Sequence, residues 1–162
     1  MKRWKLIVGL LVLSCAVFGY DKTQHVFPTN IANYAASTVY MTDGATYTCN
    51  SNASLAAQSD GDPFYLKLKK NGVVVLSPAI ANLREISIHH TGGNISLNVY
   101  TSTDGSDWGT AESASTSAGL VRVLGLAGDY QVKIVNKSDG DVYIMQIDYW
   151  TEPCHCLRVV SE

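Results

Sequence analysis

Apolar and polar residues alternate in short segments along the chain, with turn-forming residues between them. In "NISLNVY", Ile95, Leu97 and Val99 point one way on an extended backbone, and Ser96, Asn98 and Tyr100 point the other. "PFYLKLKK" sets Phe64, Leu66 and Leu68 against Tyr65, Lys67 and Lys69 in the same manner. It then meets Asn71-Gly72, a pair favoured in type I′ turns, and runs on into Val73–Leu76, which predicts a hairpin. "REISIHH", "LVRVL", "YQVKIV" and "VYIMQIDYW" repeat the pattern, and "STVYMT", "ATYTC" and "ASLAAQ" are weaker strands near the start. No run has helical period, so about nine strands are expected. Strands with one apolar and one wet face belong to antiparallel sheets, and two such sheets stacked together give an all-β sandwich.

A length of 162 residues suits a single domain. The sandwich is expected over 36–153, after a linker and first strand over 20–35 and before a Cys-containing tail over 154–162. Charged residues make up 16% and apolar ones 46%, which excludes a disordered acidic chain. At the start, Lys2, Arg3 and Lys5 precede an apolar run from Leu6 to Phe18 that is too short to span a bilayer comfortably. Residues 1–19 therefore read as a signal peptide, and the protein is expected to be exported to the cell surface or the extracellular space. Loss of three cations and no acids moves the net charge from −2 to −5, leaving no basic stripe for nucleic acid. "VLSC" resembles a lipobox, in which Cys15 is lipidated and anchors the chain to an outer membrane; cleavage after Ala16 or Gly19 is the alternative.

Three cysteines remain in a compartment that permits disulfides. A bridge from Cys49 to Cys154, or to Cys156, is expected to tie an early strand to the tail. Zinc fits less well, because His155 points away from its two neighbours on a strand and no paired CxxC accompanies them.

Motifs for hydrolysis or nucleotide binding are absent, and His89 and His90, being adjacent, face opposite sides of a strand. Solvent is expected around His89, and a half-buried place for His90. The acids fall mostly at turns: Asp60 and Asp62, Asp104 and Asp107, Asp139 and Asp141. Asp-Gly pairs form turns first, and a structural calcium is the alternative use of their oxygens. An enzyme is not expected, nor a cofactor.

The residues "SPAIANLREISIHHTGGNISLNVYTSTDGSDWG" and "GDYQVKIVNKSDGDVYIMQIDYW" resemble β-sandwich accessory domains of secreted Bacteroidetes-type polysaccharide-degrading proteins, as found on pectate-lyase-like enzymes. The resemblance covers about Gly61 to Trp150 and implies a jelly-roll-like fold similar to carbohydrate-binding modules. In this chain the module is read as free-standing, without an attached catalytic domain.

Within "TDGSDWG" two Gly and two Asp suffice to turn the chain, so Trp108 is surplus to the turn. Its indole either plugs the end of the sandwich or stands exposed as a platform for a sugar ring. Trp150 shares a strand face with Gln146 and Asp148, one aromatic beside two hydrogen-bonding groups; otherwise it covers the sheet edge beside the disulfide. Tyr100 beside Asn98, and Tyr65 beside Lys67, are weaker outward pairs. The expected function is non-catalytic recognition of a polysaccharide by aromatic stacking and hydrogen bonds, through Trp108, Trp150, Tyr100, Gln146 and Asp148. The alternative is a structural or adhesive surface protein that uses the same aromatics against partner proteins.

Overall fold

A computed structural model describes residues 19–27, 31–35, 37–57, 64–91, 95–112 and 114–153. Among them there are eleven strands and no helix: β1 (Asp21–Val26), β2 (Ile31–Ala35), β3 (Thr38–Met41), β4 (Thr46–Cys49), β5 (Ala53–Ala57), β6 (Phe64–Leu68), β7 (Val73–Thr91), β8 (Leu97–Ser102), β9 (Ala114–Ser117), β10 (Leu120–Asn136) and β11 (Val142–Thr151). The stretch expected to hold a linker and first strand contains β1, paired along its length with β11, and β2, paired with β3. The signal segment, Cys15 and the 154–162 tail lie outside the described residues.

All pairings are antiparallel and form one continuous sheet that folds over on itself. Two long strands make the fold. The first half of β7 pairs with β4 and its second half with β11, while β10 runs beside it through both halves. One layer is thus β2-β3-β4-β7-β10-β8, and the other is β9-β10-β7-β11 with β1 and β6-β5 on the far side of β11. The bend falls where β7 and β10 lose register, near Asn82 (φ 51°) and Gly125 (φ 76°). A left-handed backbone there is cheap for glycine and tolerable for asparagine.

Leu66, Leu68, Ile86, Ile88, Leu97 and Val99, placed on the apolar side of their strands by the alternation, are buried. Val74, Leu76, Val99, Val132 and Ile134 of the first layer meet Ile86, Ile88, Val121, Val123, Ile144 and Ile147 of the second in a single core. Each fully buried Leu, Ile or Val side chain stabilises the fold by roughly 1.5–3 kcal/mol. Phe27, which follows β1, stands 5.3 Å edge-to-face from Tyr47 of β4, so the N-terminal strand also ties the two layers together.

The predicted hairpin at Asn71-Gly72 is not formed. β6 pairs with β5 and β11, whereas β7 pairs with β4, β10 and β11. The turn is real, with Asn71 at φ 59°, but it carries the chain from one layer to the other. Asn136 of β10 holds it: its N–H donates to the Gly72 carbonyl, its carbonyl accepts from Asn71 N–H, and its side-chain amide donates to the Leu68 carbonyl, each at 2.9 Å.

Candidate functional site

The first layer presents a broad outer face whose side chains stand in register. Tyr100, Lys133, Val75, Thr48 and Thr38 form one row across β8, β10, β7, β4 and β3. The neighbouring row carries Gln131, Ser77, Thr46 and Tyr40, and Ser77 Oγ donates to Gln131 Oε1 at 3.2 Å. Four strand spacings separate β8 from β3, about 19 Å. The middle of this face is low, since Val75, Thr48 and Thr46 are short, and aromatic rings stand at its two sides: Tyr100 at one, Tyr40 (42% exposed) at the other.

Trp108 belongs to this face. The loop after β8 is braced by Asp104, whose Oδ1 accepts from the backbone N–H of Ser106 and Asp107 and from Ser102 Oγ at 2.8–3.0 Å, and whose Oδ2 accepts from Ser106 Oγ. Those donors, the Ser106 amide first, hold the Asp104 carboxyl well below the usual carboxylate range. Asp107 repeats the device on Gly109 N–H. The loop then returns along β8, where Glu112 N–H donates to the Val99 carbonyl at 2.7 Å, before crossing to β9 in the other layer.

Braced in this way, the half-buried indole of Trp108 lies over β10, with Lys133 Nζ 4.4 Å from its ring centre and 4.7 Å from that of Tyr100. One ammonium thus fills the gap between two rings, a cation–π contact worth about 0.5–1 kcal/mol at such sites. Burial against the rings lowers the Lys133 pKa, and the Tyr100 phenol acts in the opposite direction. Asn98 Nδ2 donates to Tyr100 Oη at 3.2 Å and fixes that ring's tip.

Trp150, Gln146 and Asp148 share a face as expected from their spacing, but it is the outer face of the other layer. Asp148 is 3% exposed although it points outward, because its neighbours cover it. Its Oδ2 meets Lys22 Nζ at 3.0 Å and His89 Nε2 at 3.1 Å, and its Oδ1 accepts from Gln146 Nε2 at 2.9 Å. Burial opposes ionisation, yet hydrogen bonds from Lys22, Gln146 and His89 outweigh it and hold the carboxyl below its ordinary value. Trp150 is half-buried between β1 and β7, not at a sheet edge, with Lys22 Nζ 5.3 Å from its ring. Asp148 and Gln146 therefore satisfy one another and their neighbours within the protein.

No family model matches the chain, and no curated protein matches it. Among solved structures it is similar to a low-affinity xylan-binding module, CBM86, from the xylanolytic gut symbiont Roseburia intestinalis, with a TM-score of 0.43 and 11% identity over 67% of this chain and 96% of that one.

Elsewhere, the other expected groups are engaged locally. His89 is bound to Asp148 and is not free in solvent, and His90 is buried (3% exposed), deeper than the half-burial expected of it. Asp139 pairs with Lys70 at 2.7 Å and Asp141 with Lys67 at 2.8 Å, while Asp60 and Asp62 lie outside the described residues. Lys67 also lies 5.3 Å from the Tyr143 ring, which meets Tyr65 edge-on. Among the described residues no three His, Cys, Asp or Glu side chains gather as a metal site. Cys49 is a buried thiol, pushed up to about 11 by burial, and Cys154 lies outside the described residues.

Sequence reasoning missed Lys133, Tyr40 and Lys22. Lys133 and Tyr40 were legible only as outward strand positions, and Lys22 sat in a stretch read as linker. The cross-strand register that joins them to Tyr100, Trp108 and Asp148 carries no local signal.

Proposed function

We propose that the chain is a non-catalytic, exported protein that binds polysaccharide on the outer face of its first layer. The observation that supports this reading is the Trp108–Lys133–Tyr100 stack beside a low, open surface of short β-branched and hydroxyl side chains. A sugar ring has an apolar C–H face and a polar rim. The indole surface away from Lys133 suits the C–H face. Gln131, Ser77, Thr48 and Thr46 supply donors and acceptors for hydroxyls. An open face about 19 Å across suits an extended chain of sugars better than a single ring.

The two rows contain no carboxylate, so the paired acids of glycoside hydrolysis have no place on them. Shallow contact of this kind binds weakly, with a Kd in the micromolar to millimolar range, about −8 to −4 kcal/mol. Residues 1–19 deliver the chain outside the cell, where polysaccharide is met, and lipidation at Cys15 is one route to retention at the surface.

Affinity electrophoresis through gels containing soluble polysaccharides tests the reading. At least one polysaccharide should retard the protein, and Trp108→Ala and Tyr100→Ala should each relieve the retardation. Migration unaffected by every polysaccharide tried, or retardation indifferent to both substitutions, would refute it.

A further inference from the structure

Where β7 passes from one layer to the other, the backbone leaves a hollow. Residues Pro78–Ala81 of the bend, the β3–β4 turn and the end of β11 surround a cleft of about 290 Å³. That volume is close to the lower limit for small-molecule sites. The hollow exists because Gly44, Ala45, Ala79 and Ala81 are small; longer side chains there would fill it. Leu76 and Ile80, both buried, contribute apolar wall, and Asp43, Tyr149 and Thr151 contribute the polar groups.

Asp43 is held from two sides. His25 Nε2 lies 2.7 Å from its Oδ2, and the Ala45 N–H donates to its Oδ1 at 3.0 Å. His25 is in turn fixed by Tyr47 Oη at 2.6 Å from its Nδ1 and by the edge-on ring of Tyr149. Partial burial works against the Asp43 charge, but the His25 and Ala45 hydrogen bonds prevail and keep the carboxyl below its usual range. A carboxylate accepts about four hydrogen bonds, and the Asp43 backbone N–H is a third donor beside His25 and Ala45, so part of that capacity is left for a hydroxyl donor. The side chain is 41% exposed, which leaves it within reach of a ligand in the cleft.

We infer that this end cleft is a second ligand site, which binds one neutral sugar ring through a pair of neighbouring hydroxyls donated to the two oxygens of Asp43. The spacing of vicinal hydroxyls matches the spread of one carboxylate, as bidentate recognition requires. The C–H face of the ring lies against Leu76, Pro78 and Ile80. Among the described residues no cationic side chain lines the cleft, so a sugar carrying its own carboxylate is repelled by Asp43 rather than held. The site is distinct from the Trp108 face, and either can fail without the other.

The test is amide-resolved NMR titration of the full chain with methyl pyranosides of the gluco, galacto, manno and xylo series. Shifts should appear at Gly44, Ala45, Ala79 and Ala81 with at least one of them in the millimolar range, and vanish with the matching dideoxy sugar that lacks the diol. Asp43→Asn should weaken binding about tenfold or more, near 1.4 kcal/mol. Because Asp43 also anchors His25, Ala79→Leu serves as a second variant that fills the cleft and leaves that anchor intact; it should abolish the shifts. Trp108→Ala should leave them unchanged. Silence at these four amides, shifts that survive Ala79→Leu, or a response to methylammonium but not to any pyranoside would overturn the inference.

Discussion

Trp108 and Trp150 stand on opposite outer faces of the protein. Trp108 reaches over β10 in the first layer and meets Lys133, while Trp150 sits on β11 in the second layer beside Lys22. Two sheets about 10 Å apart, and their shared core, separate the two indoles. A single sugar chain lying on one face therefore reaches only one of them.

The two substitutions should consequently part company. Trp108→Ala is expected to weaken polysaccharide binding about tenfold, near 1.4 kcal/mol. Trp150→Ala should leave binding unchanged, since its face is occupied by the Asp148 cluster. Among the described residues Trp108 is not part of the core cluster, so its loss should cost under about 1 kcal/mol, a melting shift below roughly 4 °C. Parallel gel retardation and thermal melts of both variants check this; equal losses of binding would contradict the separation of faces.

Asp148 should reveal itself through pH. Its folded carboxyl lies below the ordinary value of 3.8. The stabilisation is therefore complete above about pH 4 and is lost as pH falls through the lowered folded value. Asp148→Ala removes three partners' hydrogen bonds at once, but Lys22 and His89 are 44% and 36% exposed and regain water. A cost of about 1–3 kcal/mol is expected at neutral pH. Urea unfolding at pH 7 and at low pH should show the gap between variant and wild type narrowing in acid.

His90 is a liability that the fold carries. It is 3% exposed, and both ring nitrogens lack a hydrogen-bond partner among the described residues. Desolvation, with the neighbouring His89 charge second, lowers its pKa from the usual 6.5. A depressed histidine favours folding fully above the unfolded value, and the benefit fades as pH drops from there towards the folded one. His90→Leu, which removes the unpaired atoms and retains bulk, should leave the melting temperature equal or higher and flatten its decline as pH falls below about 6.5. A melt lowered at every pH would show that the ring is needed.

Gly72 should tolerate no side chain. An added Cβ would lie 2.6 Å from the Asn52 carbonyl oxygen and 2.8 Å from that of Lys69, both backbone atoms that cannot step aside. Gly72→Ala is expected to lower stability by about 1–3 kcal/mol, measured by denaturant midpoint. An unchanged midpoint would mean that the inter-layer turn is free to move.

The same turn shows where local reading reaches its limit. Alternation in "FYLKL" marked a strand with Leu66 and Leu68 inward, the apolar run "VVVL" marked another, and Asn71-Gly72 marked a reversal. Whether two such strands pair or part into separate layers depends on Asn136, more than sixty residues along the chain, whose backbone closes on Asn71 and Gly72. The candidate face divides in the same way. Tyr100 and Asn98 were legible as outward residues because Val99 between them is inward, and Trp108 stood out as surplus to its loop. Lys133, which joins Trp108 to Tyr100, looked like any wet-face lysine.

What the amino-acid order determined by itself was the period of two, hence strands, their inward residues and the stacking of antiparallel layers. Burial of alternate side chains is a property of neighbours in sequence, and it survives any arrangement of the strands. Tertiary structure alone decided which outward residues met: Trp108 with Lys133, Asp148 with Lys22, Asp43 with His25. Those meetings follow from cross-strand register and from the bends of β7 and β10, which are set by the packing of the whole core and not by any one segment.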